Sequence, residues 1–94
     1  MERPLVFGRN PVAPAEYPNA RPIELVDESM KLSKSHAVAL LIDGALAVVD
    51  LDALNGVHLS IAGVGSKLVP GQATPVPVGA HVRMGGRSFT VEAG

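Results

Sequence analysis

Hydrophobic and polar positions follow one another along this chain in short bursts of strand length. Leu5-Val6-Phe7 is apolar and β-prone, and it stops at Gly8-Arg9-Asn10-Pro11, a strand running out into a loop. Residues 11–22, PVAPAEYPNARP, hold four prolines and no periodicity, which excludes a helix or a ladder strand. They predict an extended surface loop that carries Tyr17 as an exposed residue. Ile23-Glu24-Leu25 alternates as a half-buried strand does, and Asp27-Glu28-Ser29-Met30-Lys31 turns the chain. His36 to Ile42 and Ala45 to Leu51 form apolar runs separated by Asp43-Gly44. A type I′ turn needs positive φ at both central residues, so Asp-Gly here is the strongest hairpin signal in the sequence and predicts two core strands.

Val57-His58-Leu59-Ser60-Ile61 alternates again, with Val57, Leu59 and Ile61 on one face and His58 and Ser60 on the other. Gly63-Val64-Gly65-Ser66-Lys67 reads as a loop and Pro70-Gly71 as a tight turn, while Pro75 and Pro77 restrict their segment to an edge strand or coil. His81 to Met84 and Arg87 to Val91, joined by Gly85-Gly86, form a second hairpin with Val82, Met84, Phe89 and Val91 inward. No window has a helical period. The pattern predicts an all-β chain, an antiparallel β-sandwich of two sheets whose loops gather at the two ends.

Composition narrows the classes. At 94 residues the chain is expected to be one domain, large enough to fold without disulfides or a metal. Its hydrophobic residues are mostly Ala, Val and Leu, with two Phe, one Tyr and no Trp, so the core is aliphatic. The absence of cysteine removes a thiol nucleophile and a thiolate metal site. A formal net charge of −1 lacks the basic excess that nucleic-acid binding requires. No apolar run is long enough to cross a bilayer and Met1-Glu2-Arg3-Pro4 starts no signal peptide. The expected setting is cytoplasmic, with no direct membrane contact by this domain, either alone or as the cytoplasmic part of a larger membrane protein. Richness in Ala, Val, Gly and Pro, with three Lys to five Arg, fits a GC-rich bacterial genome.

The chemistry gathers where a polar loop enters an apolar strand, at Leu32-Ser33-Lys34-Ser35-His36-Ala37-Val38-Ala39-Leu40. Several readings fail there and nearby. Gly63-Val64-Gly65-Ser66-Lys67 lacks the glycine-lysine order and the following helix of a nucleotide-binding loop. His58 and His81 fall on outward phases, and no metal site or other cofactor is expected. Ser35 and His36 are neighbours in an extended segment and point to opposite faces. Ser33 and His36 are better spaced for a nucleophile and its base, but no third partner or oxyanion hole accompanies them, so no enzyme is expected. A phosphate, by contrast, needs a guanidinium fork, a hydroxyl and an ammonium, and Arg9, Ser33 and Lys34 supply these.

Gly8-Arg9, Ser33-Lys34-Ser35-His36, Asp50-Leu51-x-x-x-Asn55-Gly56 and Val78-Gly79-Ala80-His81-Val82-Arg83-Met84-Gly85 occur in that order. In this the chain resembles the forkhead-associated (FHA) domain, whose pattern runs G-R, S-R/K-x-H, D-L-x-S-T-N-G and G-D-x-V-x-x-G. The resemblance covers Leu5 to Val91 and implies a β-sandwich whose loops at one end bind a phosphothreonine-containing peptide. By carry-over, Arg9 pairs with the phosphate, Ser33 donates its hydroxyl to it, Lys34 adds a second cation and Asn55 bonds the peptide backbone. Gly8, His36 and Gly56 shape the loops from behind. The implied role is an adaptor module acting downstream of a Ser/Thr kinase. The rival is an FHA-like scaffold making phosphate-independent contacts with another protein or domain.

Three departures qualify the carry-over. Ala53-Leu54 replaces the family's Ser-Thr, losing a hydroxyl. The proline-rich insert at residues 11–22 lengthens the path from Arg9 to Ser33. The family's first strands, which precede Gly-Arg, are largely missing, implying a piece of a larger protein or a sheet with an open edge.

Overall fold

The computed structural model describes residues 3–92. Among them are nine strands and no helix: β1 (Leu5–Gly8), β2 (Arg21–Glu24), β3 (Ala37–Ile42), β4 (Ala45–Asp50), β5 (Val57–Ile61), β6 (Val64–Lys67), β7 (Thr74–Pro75), β8 (His81–Met84) and β9 (Arg87–Thr90). They form a first sheet in the order β2-β1-β3-β4-β7 and a second in the order β6-β5-β8-β9. The two pack face to face as a β-sandwich, and one cluster joins Ala37 and Val48 of the first sheet to Val57, Leu59, Val82 and Met84 of the second. Phe7 and Phe89 close its edge with ring centroids 6.1 Å apart.

The first sheet is covered on both faces, which explains its unbroken apolar runs. Val6, Val38 and Val49 point away from the second sheet into another cluster with Ala20, and Ala13, Tyr17, Leu40, Leu51 and Ala73 pack against it. Each fully buried valine contributes about 1.5–3 kcal/mol, so this outer cluster is a second core in its own right. The second sheet has one apolar and one polar face, and its strands alternate accordingly.

Several expectations need correction. β2 runs parallel to β1, pairing Val6 with Pro22 and Phe7 with Ile23, so the sandwich is mostly rather than wholly antiparallel. Arg21 and Pro22 therefore belong to a strand, which proline tolerates because β2 is the sheet's edge. The rest of the proline-rich segment is not a free surface loop, since Tyr17 is half-buried and Ala20 buried against the first sheet. Val64–Lys67, expected as loop, is β6, closed onto β5 by a two-residue turn with positive φ at Ala62 (51°) and Gly63 (81°). Alanine rarely adopts that conformation, so the turn leaves no sequence signal. Finally, β3 and β4 are core strands only along part of their length, because Leu41 and Ile42 at the tip are 47% and 45% exposed.

The Asp43-Gly44 hairpin has positive φ at both residues, 52° and 80°, as a type I′ turn requires. Val82, Met84 and Val91 are buried and Phe89 half-buried, all facing inward, whereas Ile61 leaves the core at 41% exposure. Thr74–Pro75 forms an edge strand on β4. β1 is the one strand among the described residues that precedes Gly8-Arg9.

Candidate functional site

The turns after β1, before β3 and after β4 meet at one end of the sandwich, together with the β8–β9 hairpin. The end of β1 is stitched to the segment before β3 by backbone hydrogen bonds: Arg9 N–H donates to the Ser33 carbonyl at 3.0 Å and Asn10 N–H to the Lys34 carbonyl at 3.1 Å. The contact is close because residue 8 has no side chain. A Cβ on Gly8 would overlap the Lys34 carbonyl oxygen, with no flexible group able to move aside.

His36 holds these loops from beneath. It is wholly buried; its Nδ1 accepts from Ser33 N–H at 3.0 Å, and its Nε2 lies 2.7 Å from the Gly56 carbonyl oxygen. An acceptor at Nδ1 fixes the tautomer with the proton on Nε2, which then donates to Gly56. Both nitrogens are thus committed to backbone groups, and neither is free to take a proton from the Ser33 hydroxyl. One imidazole ties the Ser33 loop to the Gly56 loop.

The loop between β4 and β5 is shaped by Asp50, whose Oδ1 accepts from Ala53 N–H at 3.0 Å, and by a turn in which Gly56 N–H donates to the Ala53 carbonyl. Gly56 has φ of 66°, and a Cβ there would sit 2.5 Å from Cε of Lys67, which lies across it. At the top of the loop, Asn55 Nδ2 donates to the Lys31 carbonyl at 2.9 Å, and Leu54 N–H approaches the Ser33 hydroxyl oxygen at 3.4 Å. Leu54 itself is 92% exposed and Met30 88%, so two large apolar side chains stand in solvent beside these polar groups.

A third tie comes from Asp27. Its carboxylate accepts from the Ser29 hydroxyl (2.6 Å) and from the N–H groups of Ser29, Lys31 and Gly86. The Ser29 hydroxyl first, then the Gly86 N–H, hold its pKa down from an ordinary 3.8 to about 2. Arg87 adds a bond from its guanidinium to the Val26 carbonyl at 3.1 Å. The loop that carries Met30 and Lys31 is thereby fixed to the β8–β9 hairpin.

Arg9, Lys34 and Asn55 are exposed and Ser33 half-buried, all at this end. Arg9 also borders a hollow of about 330 Å³ with Glu24, Asp27 and Met30. Ser35 is turned elsewhere: its hydroxyl accepts from Val12 N–H at 3.0 Å and holds the proline-rich segment. Sequence reasoning passed over Asp27 and Lys67. Asp27 read as one polar residue in a turn, and its partner Gly86 is too far along the chain for spacing to reveal. His58 and His81 lie on the outer face of the second sheet, and no group of three or more His, Cys, Asp or Glu among the described residues is placed to hold a metal ion.

No protein-family model and no curated protein sequence matches the chain. Solved structures do. Over 97% of its length the chain superposes on EmbR of Mycobacterium tuberculosis, in complex with a low-affinity phosphopeptide, with a TM-score of 0.66 and 24% identity. The fold is that of the forkhead-associated domains. A second FHA structure, from work on phosphothreonine-dependent interactions, matches over the whole chain with a TM-score of 0.64 and 18% identity. The chain spans about a fifth of the length of the EmbR chain and 80% of the second. On this FHA fold the Gly8-Arg9, Ser33-to-His36 and Asn55-Gly56 segments occupy three loops at one end, and Ala53-Leu54 departs from the family's pattern within the third.

Proposed function

We propose that the chain is a phosphothreonine-peptide-binding module that recruits a partner protein after a Ser/Thr kinase has modified it, in the cytoplasm and without catalysis of its own. The observation that carries this reading is the joining of Arg9, Ser33-Lys34 and Asn55 through backbone bonds and one buried imidazole. Loops that are already held together lower the ordering cost of binding an anion, which is left mainly to the exposed Arg9 and Lys34 side chains. Arg9 pairs with the phosphate through its guanidinium, the Ser33 hydroxyl donates to a phosphate oxygen, and Lys34 supplies a second positive charge. Asn55, whose Nδ2 is used by Lys31, offers its Oδ1 to a peptide N–H. The phosphopeptide complex of EmbR, which has the same fold, supports the assignment.

NMR titration with a degenerate phosphothreonine library, beside the same library unphosphorylated, tests it. Shifts at Arg9, Ser33, Lys34 and Asn55 are expected with the phosphorylated library alone. Arg9→Ala should weaken binding by roughly 2–5 kcal/mol, the cost of removing one member of a hydrogen-bonded charge pair. The exposed Leu54 and Met30 favour a second reading, in which the same loops make an apolar, phosphate-independent contact with another protein. That contact would be indifferent to phosphorylation and to Arg9→Ala.

A further inference from the structure

The outer face of the second sheet is unused by this reading, and its composition is one-sided. Register sets Lys67, His58, Arg83 and Ser88 side by side across all four strands. All point outward, since Val57, Leu59, Val82 and Met84, which alternate with them, are buried. The neighbouring row contributes Ser60 and His81. Together they line a shallow depression of about 590 Å³ that no carboxylate borders. Lys67 and Arg83 stand on either side of His58, two strands apart, and among the described residues no acidic side chain in the row or around the depression offsets their charge. An uncompensated cationic row of this kind suits an anionic ligand. Nucleic acid is a poor candidate, because the row is short and the chain has a net charge of −1.

The row starts at the loop already assigned to the peptide. His58 Nε2 is 3.3 Å from the Asn55 carbonyl oxygen, and the Lys67 stem covers Gly56. Lys67 and Arg83 flank His58 at one inter-strand spacing on either side, about 4.8 Å. A peptide chain leaving Asn55 toward the second sheet therefore meets the row at once. We propose that this row is a second anionic subsite, which takes Asp or Glu side chains flanking the phosphothreonine of the same partner. The inference rests on the phosphopeptide reading and narrows it to acidic partners.

Fluorescence anisotropy with three peptides tests both and keeps them apart: a phosphothreonine peptide with neutral flanks, one with Asp and Glu flanks, and the acidic one without phosphate. The acidic phosphopeptide is expected to bind about three- to tenfold tighter than the neutral one, the range of one or two exposed charge pairs. Amide shifts at His58, Lys67 and Arg83 should appear with the acidic flanks alone. Arg83→Glu and, separately, Lys67→Met should shrink the difference; the methionine keeps apolar cover on Gly56, and an unchanged amide spectrum verifies folding. Equal affinity of the two phosphopeptides for the native protein, or a preference that survives both substitutions, overturns the second subsite while leaving the phosphate site standing. If the unphosphorylated acidic peptide binds as well as its phosphorylated form and Arg9→Ala has no effect, the phosphopeptide reading itself falls.

Discussion

His36 stands between an N–H and a carbonyl oxygen that have no other means of reaching each other. His36→Leu fills the space but leaves the Ser33 N–H and the Gly56 carbonyl without this partner. At about 1–3 kcal/mol for the buried Gly56 carbonyl and less for the half-buried Ser33 N–H, the loss should be about 1–4 kcal/mol, read as a lower denaturation midpoint in urea. Gly8→Ala acts on the same junction sterically. The added methyl meets the Lys34 carbonyl, so the loops must part, with an expected cost of about 1–3 kcal/mol in the same assay. Asp27 gives a pH signature. Its pKa is lower in the folded chain than the ordinary 3.8, so the stability it contributes is present above that value and disappears as pH falls through about 2. Thermal melts of native protein and Asp27→Asn should therefore differ near neutral pH and converge in strong acid.

At the scale of elements, the proline-rich segment behaves as part of the core. Tyr17 packs on the outer face of the first sheet, and Tyr17→Ser should cost about 1–2 kcal/mol in unfolding free energy, unusual for a position in a loop. This cover was illegible in the sequence, because prolines mark where the chain cannot form a ladder and not what it lies against. Hairpins with strong turn chemistry, Asp43-Gly44 above all, were legible. The Ala62-Gly63 turn was not, since alanine at positive φ contradicts its own preference. The parallel β1–β2 pair was hidden for another reason: alternation identifies a strand but not the direction of its neighbour. At the candidate site, Arg9, Ser33 and Lys34 stood out by chemistry, and Asn55 only through the resemblance to the FHA pattern. Lys67 did not, because it followed a failed nucleotide-loop pattern and its place beside Gly56 exists only after β6 pairs with β5.

Taken as a whole molecule, the sandwich is built from distant pairings: Val6 opposite Val38 and Leu59 opposite Val82. Loops between such partners must close before their contacts stabilise anything, so folding is expected on the millisecond-to-second scale, measurable by stopped-flow fluorescence of Tyr17. The two faces of the molecule differ sharply. The outer face of the first sheet is covered by the proline-rich segment, while that of the second is, among the described residues, uncovered and cationic. This asymmetry decides where the protein can be handled. A fluorophore, affinity tag or surface tether placed at Ala13, Tyr17 or Ala20 would pry open a hydrophobic seam despite the segment's loop-like composition. The Asp43-Gly44 and Ala62-Gly63 tips, at the end remote from Arg9, are the places to attach one.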